Sequence, residues 1–296
     1  MDLLIHDRDN PDPWSGIPPP PQRRSWLNPD PDLGWIRAGR RAAAELSVDL
    51  TTLTSVGRHE RIAELVALDR PGLQVADLAT GPGRTVRALL AAATEPVRVH
   101  AVDAASSLDD DVLHDARVRS VIADLDQSLP FADQVLDRVI SLNVAEHLAD
   151  PPGHLLECHR VLRPGGLLVL AHSDWDTALF ASGDDTLTRI LVDRFVSTVP
   201  SWAERADGFM GRKLLGLALN SPFELVTAET WADCHRRFDK GSVGWKVAMG
   251  VLAATKDDPE LATKAAGWVE GLAALAAEGH FLFAVTDVAL VLRRPE

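Results

Sequence analysis

Several residue types and patterns are scarce or missing in this sequence. Tyrosine is absent, so no phenol is available as an acid, a base or a stacking partner. The two cysteines, Cys158 and Cys234, are too few for a disulfide framework and favour a reduced, cytoplasmic protein. No apolar run approaches the length of a membrane span, and no basic start leads into a short apolar run. We therefore expect a cytoplasmic protein with no signal peptide and no membrane partner.

Positive charge is also scarce. The 30 Lys and Arg residues are outnumbered by 43 Asp and Glu, which gives a net charge of −13. Phosphate backbones repel such a chain, so we expect no nucleic-acid partner and favour a small molecule; a homodimer stays open. The ten histidines do not predict a metal site. His154 and His159, for example, lie about 140° apart around a helix and would not converge on one ion.

The distribution of proline and of apolar residues divides the chain. Residues 1–25 are rich in proline and are expected to be irregular. A helical pattern over residues 26–70 predicts an N-terminal cap. Residues 71–296 are predicted to form one binding domain, in which helices within about 178–278 cover the substrate.

Apolar strands alternate with helical segments between residues 73 and 172. The predicted strands are Leu73–Leu78, Val97–Asp103, Val118–Ala123, Val135–Ser141 and Leu167–His172, followed later by Glu224–Cys234 and Phe281–Leu292. Strands separated by helices favour a parallel sheet that is covered on both faces. The pattern therefore predicts an α/β fold with a mostly parallel, seven-stranded sheet and with helical additions at the N-terminus and after the fifth strand.

A glycine-rich turn joins the first predicted strand to the next helix, between Asp77 and Gly83. Such a turn lets a ligand approach the backbone closely, and free N–H groups at the helix start face that ligand. Asp103 closes the second strand 20 residues after Gly83, where an acid accepts hydrogen bonds from two ribose hydroxyls. A nicotinamide dinucleotide would use the same acid, but its Gly-x-Gly-x-x-Gly fingerprint fails at Val86.

Further candidates follow the third, fourth and fifth strands. Asp124 is placed to hold a base edge, because a carboxylate accepts from an exocyclic amino group such as that of adenine. His147 lies just beyond the fourth strand, and His172 is predicted to end the fifth. Ligands of open α/β sheets bind outside the carboxyl ends of the strands, so we expect both histidines to face a reaction pocket. A histidine that is merely hydrogen-bonded in a loop is the alternative for each.

Three stretches resemble the class I S-adenosylmethionine-dependent methyltransferases: Asp77–Gly83, Leu129–Ser141 and Asn143–Gly166. The resemblance implies a Rossmann-like fold, S-adenosylmethionine as the cofactor, and methyl transfer. Glycine usually stands where this chain has Ala79. Carried over by position, Gly81 and Gly83 border the methionine part of the cofactor, Asp103 binds its ribose and Asp124 its adenine. The other implied cofactor-binding residues are Asp77, Ala79, Leu125 and Asn143.

After residue 172, Asp174–Thr177 resemble the same place in small-molecule methyltransferases of the ubiquinone-biosynthesis type. Three further stretches are similar to bacterial natural-product and metabolite methyltransferases: Gly211–Leu214, Gly279–Phe283 and Arg293–Pro295. This similarity implies a small acceptor that is methylated on oxygen, nitrogen or activated carbon by direct displacement at the sulfonium methyl. The protein then mainly aligns the reacting groups and removes a proton, with His172 as the first candidate base and His147 as the second. Two alternatives stay open: a non-methylating cyclisation or rearrangement on the same scaffold, and a cofactor-binding protein without turnover.

Overall fold

A seven-stranded sheet runs through the part of the chain that the computed structural model describes, residues 57–200 and 203–296. The strands are β1 (Leu73–Leu78), β2 (Val97–Asp103), β3 (Val118–Ile122), β4 (Leu136–Leu142), β5 (Leu162–Phe180), β6 (Glu224–His235) and β7 (Phe283–Arg293). Their order across the sheet is β3-β2-β1-β4-β5-β7-β6. The first five strands pair in parallel, and β7 runs antiparallel to both of its neighbours. The predicted mostly parallel α/β fold is confirmed.

Helices connect the strands and cover the sheet. In the described ranges they are α1 (Arg58–Leu65), α2 (Arg84–Ala92), α3 (Asp110–Leu113), α4 (Pro151–Val161), α5 (Asp185–Val196), α6 (Met210–Leu219), α7 (Val243–Ala254) and α8 (Pro259–Ala277), with a 3₁₀ turn at Ala145–His147. Side-chain caps fix several starts: the carboxylate of Asp150 accepts from the amide of Gly153 at α4, and that of Asp258 accepts from the amide of Leu261 at α8.

Two apolar cores lie on the two faces of the sheet. Nearly every residue of β1 and β4 is buried, as expected for central parallel strands that helices cover on both sides. Leu155 of α4 and Leu214 of α6 belong to one core. Ile62 of α1 and Leu89 of α2 belong to the other. The sheet is therefore a rigid base for the loops at the carboxyl ends of its strands.

A third core joins the later helices to the ends of β5 and β7. It contains Leu191 of α5, Val247 of α7, Trp268 of α8, Phe180 and Phe283. These helices fall within residues 178–278, where a substrate cap was predicted. That they cover a substrate stays a prediction, as do the predicted domain boundaries.

The fifth strand corrects two expectations. It continues to Phe180, so His172 lies inside β5 and does not end it. The next two residues, Ser173 and Asp174, are polar yet buried in the strand, and their polar groups are satisfied there: Ser173 bonds to Asn143 and Asp174 pairs with Arg212. The turn expected before this strand, at residues 163–166, is a bulge within it, opposite a single residue of β4, and its Gly165 and Gly166 form backbone hydrogen bonds with Arg294.

Other expectations fall partly outside the described residues. The proline-rich segment 1–25 and most of the helical pattern 26–70 lie there, whereas α1 belongs to the end of that pattern. Among the described helices, none has the length and apolar character to cross a membrane. The same residues contain no group of three or more His, Cys, Asp or Glu side chains that could hold a metal ion.

Candidate active site at the carboxyl edge of the sheet

The glycine loop after β1 has an unusual backbone. Ala79, Gly81 and Gly83 all have positive φ angles, of 55°, 53° and 85°. Glycine adopts this region without cost, whereas the methyl group of Ala79 is strained by about 1–2 kcal/mol. A Cβ on Gly83 would lie 2.9 Å from Cγ1 of Val112, while one on Gly81 would meet nothing within 4 Å. The loop thus packs closely at Gly83 and is open at Gly81.

Two aspartates, Asp77 and Asp103, accept hydrogen bonds from residues of this loop. Asp77 is buried, and its carboxylate accepts a 2.7 Å hydrogen bond from the hydroxyl of Thr80. Burial raises the pKa of Asp77 to about 7, although the bond from Thr80 opposes the rise. Asp103 is half-buried at the end of β2, where its Oδ2 accepts a 2.7 Å bond from the amide of Gly81. Its Oδ1 has no hydrogen-bond partner among the described residues.

The loop after β3 places Asp124 on the surface. Its Oδ1 accepts from the amide of Asp126 at 3.0 Å, and the next residue, Leu125, is half-buried. Asp126 in turn accepts from the amide of Ala149 at 2.7 Å. The loops that follow β3 and β4 are therefore joined directly, on the same side of the sheet as the glycine loop.

Asn143 follows β4 with a φ of 56°, a conformation that its hydrogen bonds stabilise. Its backbone amide donates to the carbonyl of Ala171 at 3.0 Å, and its Oδ1 accepts from the amide of Ser173 at 2.8 Å. The Ser173 hydroxyl donates to Asp287 at 2.8 Å, and Asp287 accepts from Nε of Arg58 at 2.7 Å. A chain of polar contacts thus runs from α1 through β7 and β5 to the residue that follows β4.

A cavity of about 420 Å³ opens beside Asn143. Its wall comes from the 3₁₀ turn, a bulge of β5, the end of α5 and one face of α7, and includes Trp175 and Phe195 with ring centroids 6.1 Å apart. The pairing of β5 with β7 shifts between Asp174 and Leu179, so the residues between these two form a bulge that is not paired with β7. Trp175 lies in this bulge and lines the cavity. The volume lies within the roughly 300–1,000 Å³ that is typical of small-molecule sites.

A carboxylate and two histidines meet at the wall of this cavity. Oε1 of Glu146 lies 3.3 Å from Nε2 of His147 and 3.6 Å from Nε2 of His172, and it accepts from the indole of Trp175 at 3.3 Å. Glu146 is buried, whereas the side chain of His147 is 29% exposed. Nδ1 of His147 lies 3.0 Å from the carbonyl oxygen of Arg205 and serves as the donor to it.

The two histidines differ in their titration. Burial lowers the pKa of His147, but its bonds to Glu146 and to the Arg205 carbonyl outweigh burial, so the pKa is raised overall. Burial lowers the pKa of His172, and the nearby charge of Glu146 only partly opposes this. His172 is completely buried, and its Nε2 makes no hydrogen bond within the described ranges.

The predicted site residues fall into two groups. Gly81, Asp103 and Asn143 lie at the ends of β1, β2 and β4, which are neighbours in the sheet, and His147 lines the cavity as expected. His172 does not line it, so the expectation that it faces the pocket is wrong. Glu146 was missed as a functional residue, although it stands between Asn143 and His147 directly after a buried strand. Phe195 carried no sequence signal, because it reaches the cavity from a distant helix.

Comparison with known proteins agrees with this architecture. The methyltransferase domain family matches residues 76–170. A 37.1 kDa protein of transposon TN4556 from Streptomyces fradiae is 31% identical over 189 residues, which cover 61% of this chain and 52% of that protein. An uncharacterized methyltransferase of Mycolicibacterium vanbaalenii is 36% identical over 111 residues, or 35% of this chain and 40% of its own length. This chain thus spans about half, or less, of the length of these relatives.

Among solved structures, the YcgJ protein of Bacillus subtilis has a TM-score of 0.50 and 14% sequence identity, and the match covers 80% of this chain and 99% of that one. At this identity the likeness shows the fold alone. Residues 76–170 thus match a methyltransferase domain, and the fold and the glycine loop support a likeness to the class I S-adenosylmethionine-dependent methyltransferases.

Proposed function

We propose that this protein transfers the methyl group of S-adenosylmethionine to oxygen, nitrogen or activated carbon of a small-molecule acceptor. The observation that carries the proposal is the cavity of about 420 Å³ beside Asn143, at the carboxyl edge where the family binds its cofactor. Its wall is mostly apolar, and its size suits a small molecule rather than a polymer. The net charge of −13 further disfavours a nucleic-acid acceptor.

The residues at the edge fit the cofactor. The open space above Gly81 admits the methionine part, and the unpartnered Oδ1 of Asp103 is available to a ribose hydroxyl. The exposed Asp124 and the half-buried Leu125 would hold the adenine, and Asn143, which lines the cavity, would bind the cofactor at its border with the acceptor. Asp77 acts mainly beneath the loop, since its carboxylate is buried against Thr80.

When bound, the sulfonium supplies an activated methyl carbon, so the protein's task is alignment and proton removal. We assign proton removal to His147. Its Nδ1 is held by the Arg205 carbonyl, which turns Nε2 toward Glu146 and the cavity. A proton taken up at Nε2 is stabilised by the Glu146 carboxylate. His172 packs behind this pair and is a positioning residue.

The decisive experiment incubates the protein with S-adenosylmethionine and a panel of small hydroxyl, amine and activated-carbon compounds. We expect S-adenosylhomocysteine to form in amounts equal to methylated product. Conversion of an acceptor without S-adenosylhomocysteine would instead support the cyclisation or rearrangement alternative. Binding of S-adenosylmethionine with no turnover across the panel would support the non-catalytic one.

Once an acceptor is known, the base is tested by pH profiles. His147→Gln should lower turnover by roughly 10²–10⁴-fold. In the parent the rate should rise with pH through the raised pKa of His147, because only the neutral imidazole accepts a proton. This rise of the rate with pH should vanish in His147→Gln and persist in His172→Gln. If instead His172→Gln abolishes the rise, the assignment is reversed.

A cytoplasmic location and a homodimer stay predictions.

A further inference from the structure

The distribution of lysine points to the chemistry of the acceptor. The chain has only five lysines. Lys213 pairs with Asp207 and Lys264 pairs with Glu260 on the surface. The side chains of the remaining three make no ion pair or hydrogen bond with any described residue, and all three lie in cavity walls. They are Lys246 and Lys256, in the cavity beside Asn143, and Lys240, in a second cavity of about 530 Å³.

The first two of these lysines are attached to one helix. Lys246 and Gly250 lie four residues apart on the face of α7 that forms the cavity wall, and Ala254 continues the same face. Lys256 follows the end of the helix. From Lys246 to Ala254 this face extends for about 12 Å, at 1.5 Å per residue. Both lysines are exposed, whereas Glu146 is buried, so the ammonium groups stand at the mouth of the cavity and the Glu146 carboxylate lies further in.

The rest of the cavity wall is mostly apolar. It includes Trp175, Phe195 and Val247. Gly250 allows Phe195 to lie against α7, since a Cβ at that position would come within 3.0 Å of the ring. A ligand that fills this space buries an apolar body, which requires no polar partner there.

Resting on the function proposed above, we infer that the acceptor is an amphipathic anion. Its apolar body fills the space lined by Trp175 and Phe195, and its carboxylate or phosphate pairs with Lys246, Lys256 or both at the mouth. The group to be methylated then points toward His147. Two unpaired ammonium groups beside an apolar wall favour an anion and repel a cation. They also offset, at this one place, the repulsion that a chain with a charge of −13 exerts on any anion.

Binding of eight-carbon probes tests this inference without the cofactor. Octanoate, octyl phosphate, octanol and octylammonium are titrated by calorimetry into the parent protein and into the double variant Lys246→Gln/Lys256→Gln. The matched control is Lys213→Gln/Lys264→Gln, which removes the same charge from paired lysines outside the cavity. The two anions distinguish carboxylate from phosphate as the preferred head group.

We expect the cavity double variant to bind at least one anion about three- to thirtyfold more weakly than the parent, and to bind octanol within about twofold. The control variant should behave as the parent does. Anion affinity should also fall with added salt, whereas octanol affinity should not. Equal anion affinity in the cavity variant and the parent, or tighter binding of octylammonium than of both anions, would overturn the inference.

The outcome is separable from that of the proposed function. If the parent binds an anion through these lysines but forms no S-adenosylhomocysteine with any acceptor, the cavity has the ligand chemistry inferred here and the methyl-transfer proposal fails. If acceptors are methylated but the lysine substitutions change neither anion binding nor KM, methyl transfer stands and the amphipathic-anion inference fails.

Discussion

The glycine loop allows a backbone cost to be separated from a packing cost. Gly81→Ala and Gly83→Ala place the same methyl group on two left-handed residues. Both should lose about 1–2 kcal/mol for the backbone conformation. Only Gly83→Ala adds a contact, 2.9 Å from Cγ1 of Val112 and 3.1 Å from Cδ2 of Leu108. Crowding in a packed site costs about 1–3 kcal/mol more, so Gly83→Ala should lose about 2–5 kcal/mol in all.

Urea denaturation of the two variants and the parent measures this difference, provided that the m-value is unchanged. A double-mutant cycle adds the control: Gly83→Ala/Val112→Ala should lose less than the sum of the two single variants, because shortening Val112 removes the contact. Gly81→Ala with Val112→Ala should be additive, since a Cβ on Gly81 meets nothing within 4 Å. Equal losses at both glycines, or additivity in both cycles, would refute the packing argument.

Three further variants address the same edge of the sheet. Ala79→Gly should stabilise the protein by up to about 1 kcal/mol in urea, because relief of the left-handed strain outweighs the extra freedom of the unfolded chain; a loss would show that the strain is absent. Asp103→Ala should weaken S-adenosylmethionine binding by about tenfold to a hundredfold in calorimetry, and an unchanged Kd would remove Asp103 from the ribose site. The pKa of Asp77 is about 7 in the folded protein and near 3.8 when unfolded, so the unfolded chain binds fewer protons between these values and stability falls as pH rises from about 4 to 7. Asp77→Asn should therefore flatten that decline in pH-dependent urea melts, and a parallel decline in both proteins would contradict the assignment.

The strands of the sheet were predictable because each central strand is a short apolar run between helices. The bounds of β1 and β2 were predicted correctly to the residue. The prediction for β5 ended at His172, whereas the strand continues through the polar residues Ser173 and Asp174. Their partners lie 30 or more residues away, so no local pattern reveals that these polar groups are satisfied in the interior.

The candidate site, like the strands, could be predicted from the sequence only in part. The glycine loop, Asp103 and Asn143 follow directly from strand ends, and parallel strands bring their ends to one edge. The cavity does not follow, because its wall combines the 3₁₀ turn after β4 with Phe195 of α5 and Lys246 of α7. The roles of Glu146 and His172 were likewise hidden, since burial and mutual distance decide which side chain reaches the cavity.

β5 and β7 run from the two cores on the faces of the sheet into the third core, which they form together with α5, α7 and α8. Leu168 and Leu170 of β5 belong to the apolar core on one face of the sheet. Phe180, at the end of the same strand, packs with Trp268 of α8. A hinge requires a stretch of chain with few contacts, whereas here β5 and β7 pair on both sides of the bulge at Trp175. Rotation of these helices away from the sheet would break that pairing. A ligand of the cavity beside Asn143 would therefore have to enter without a swing of α5, α7 and α8 against the sheet.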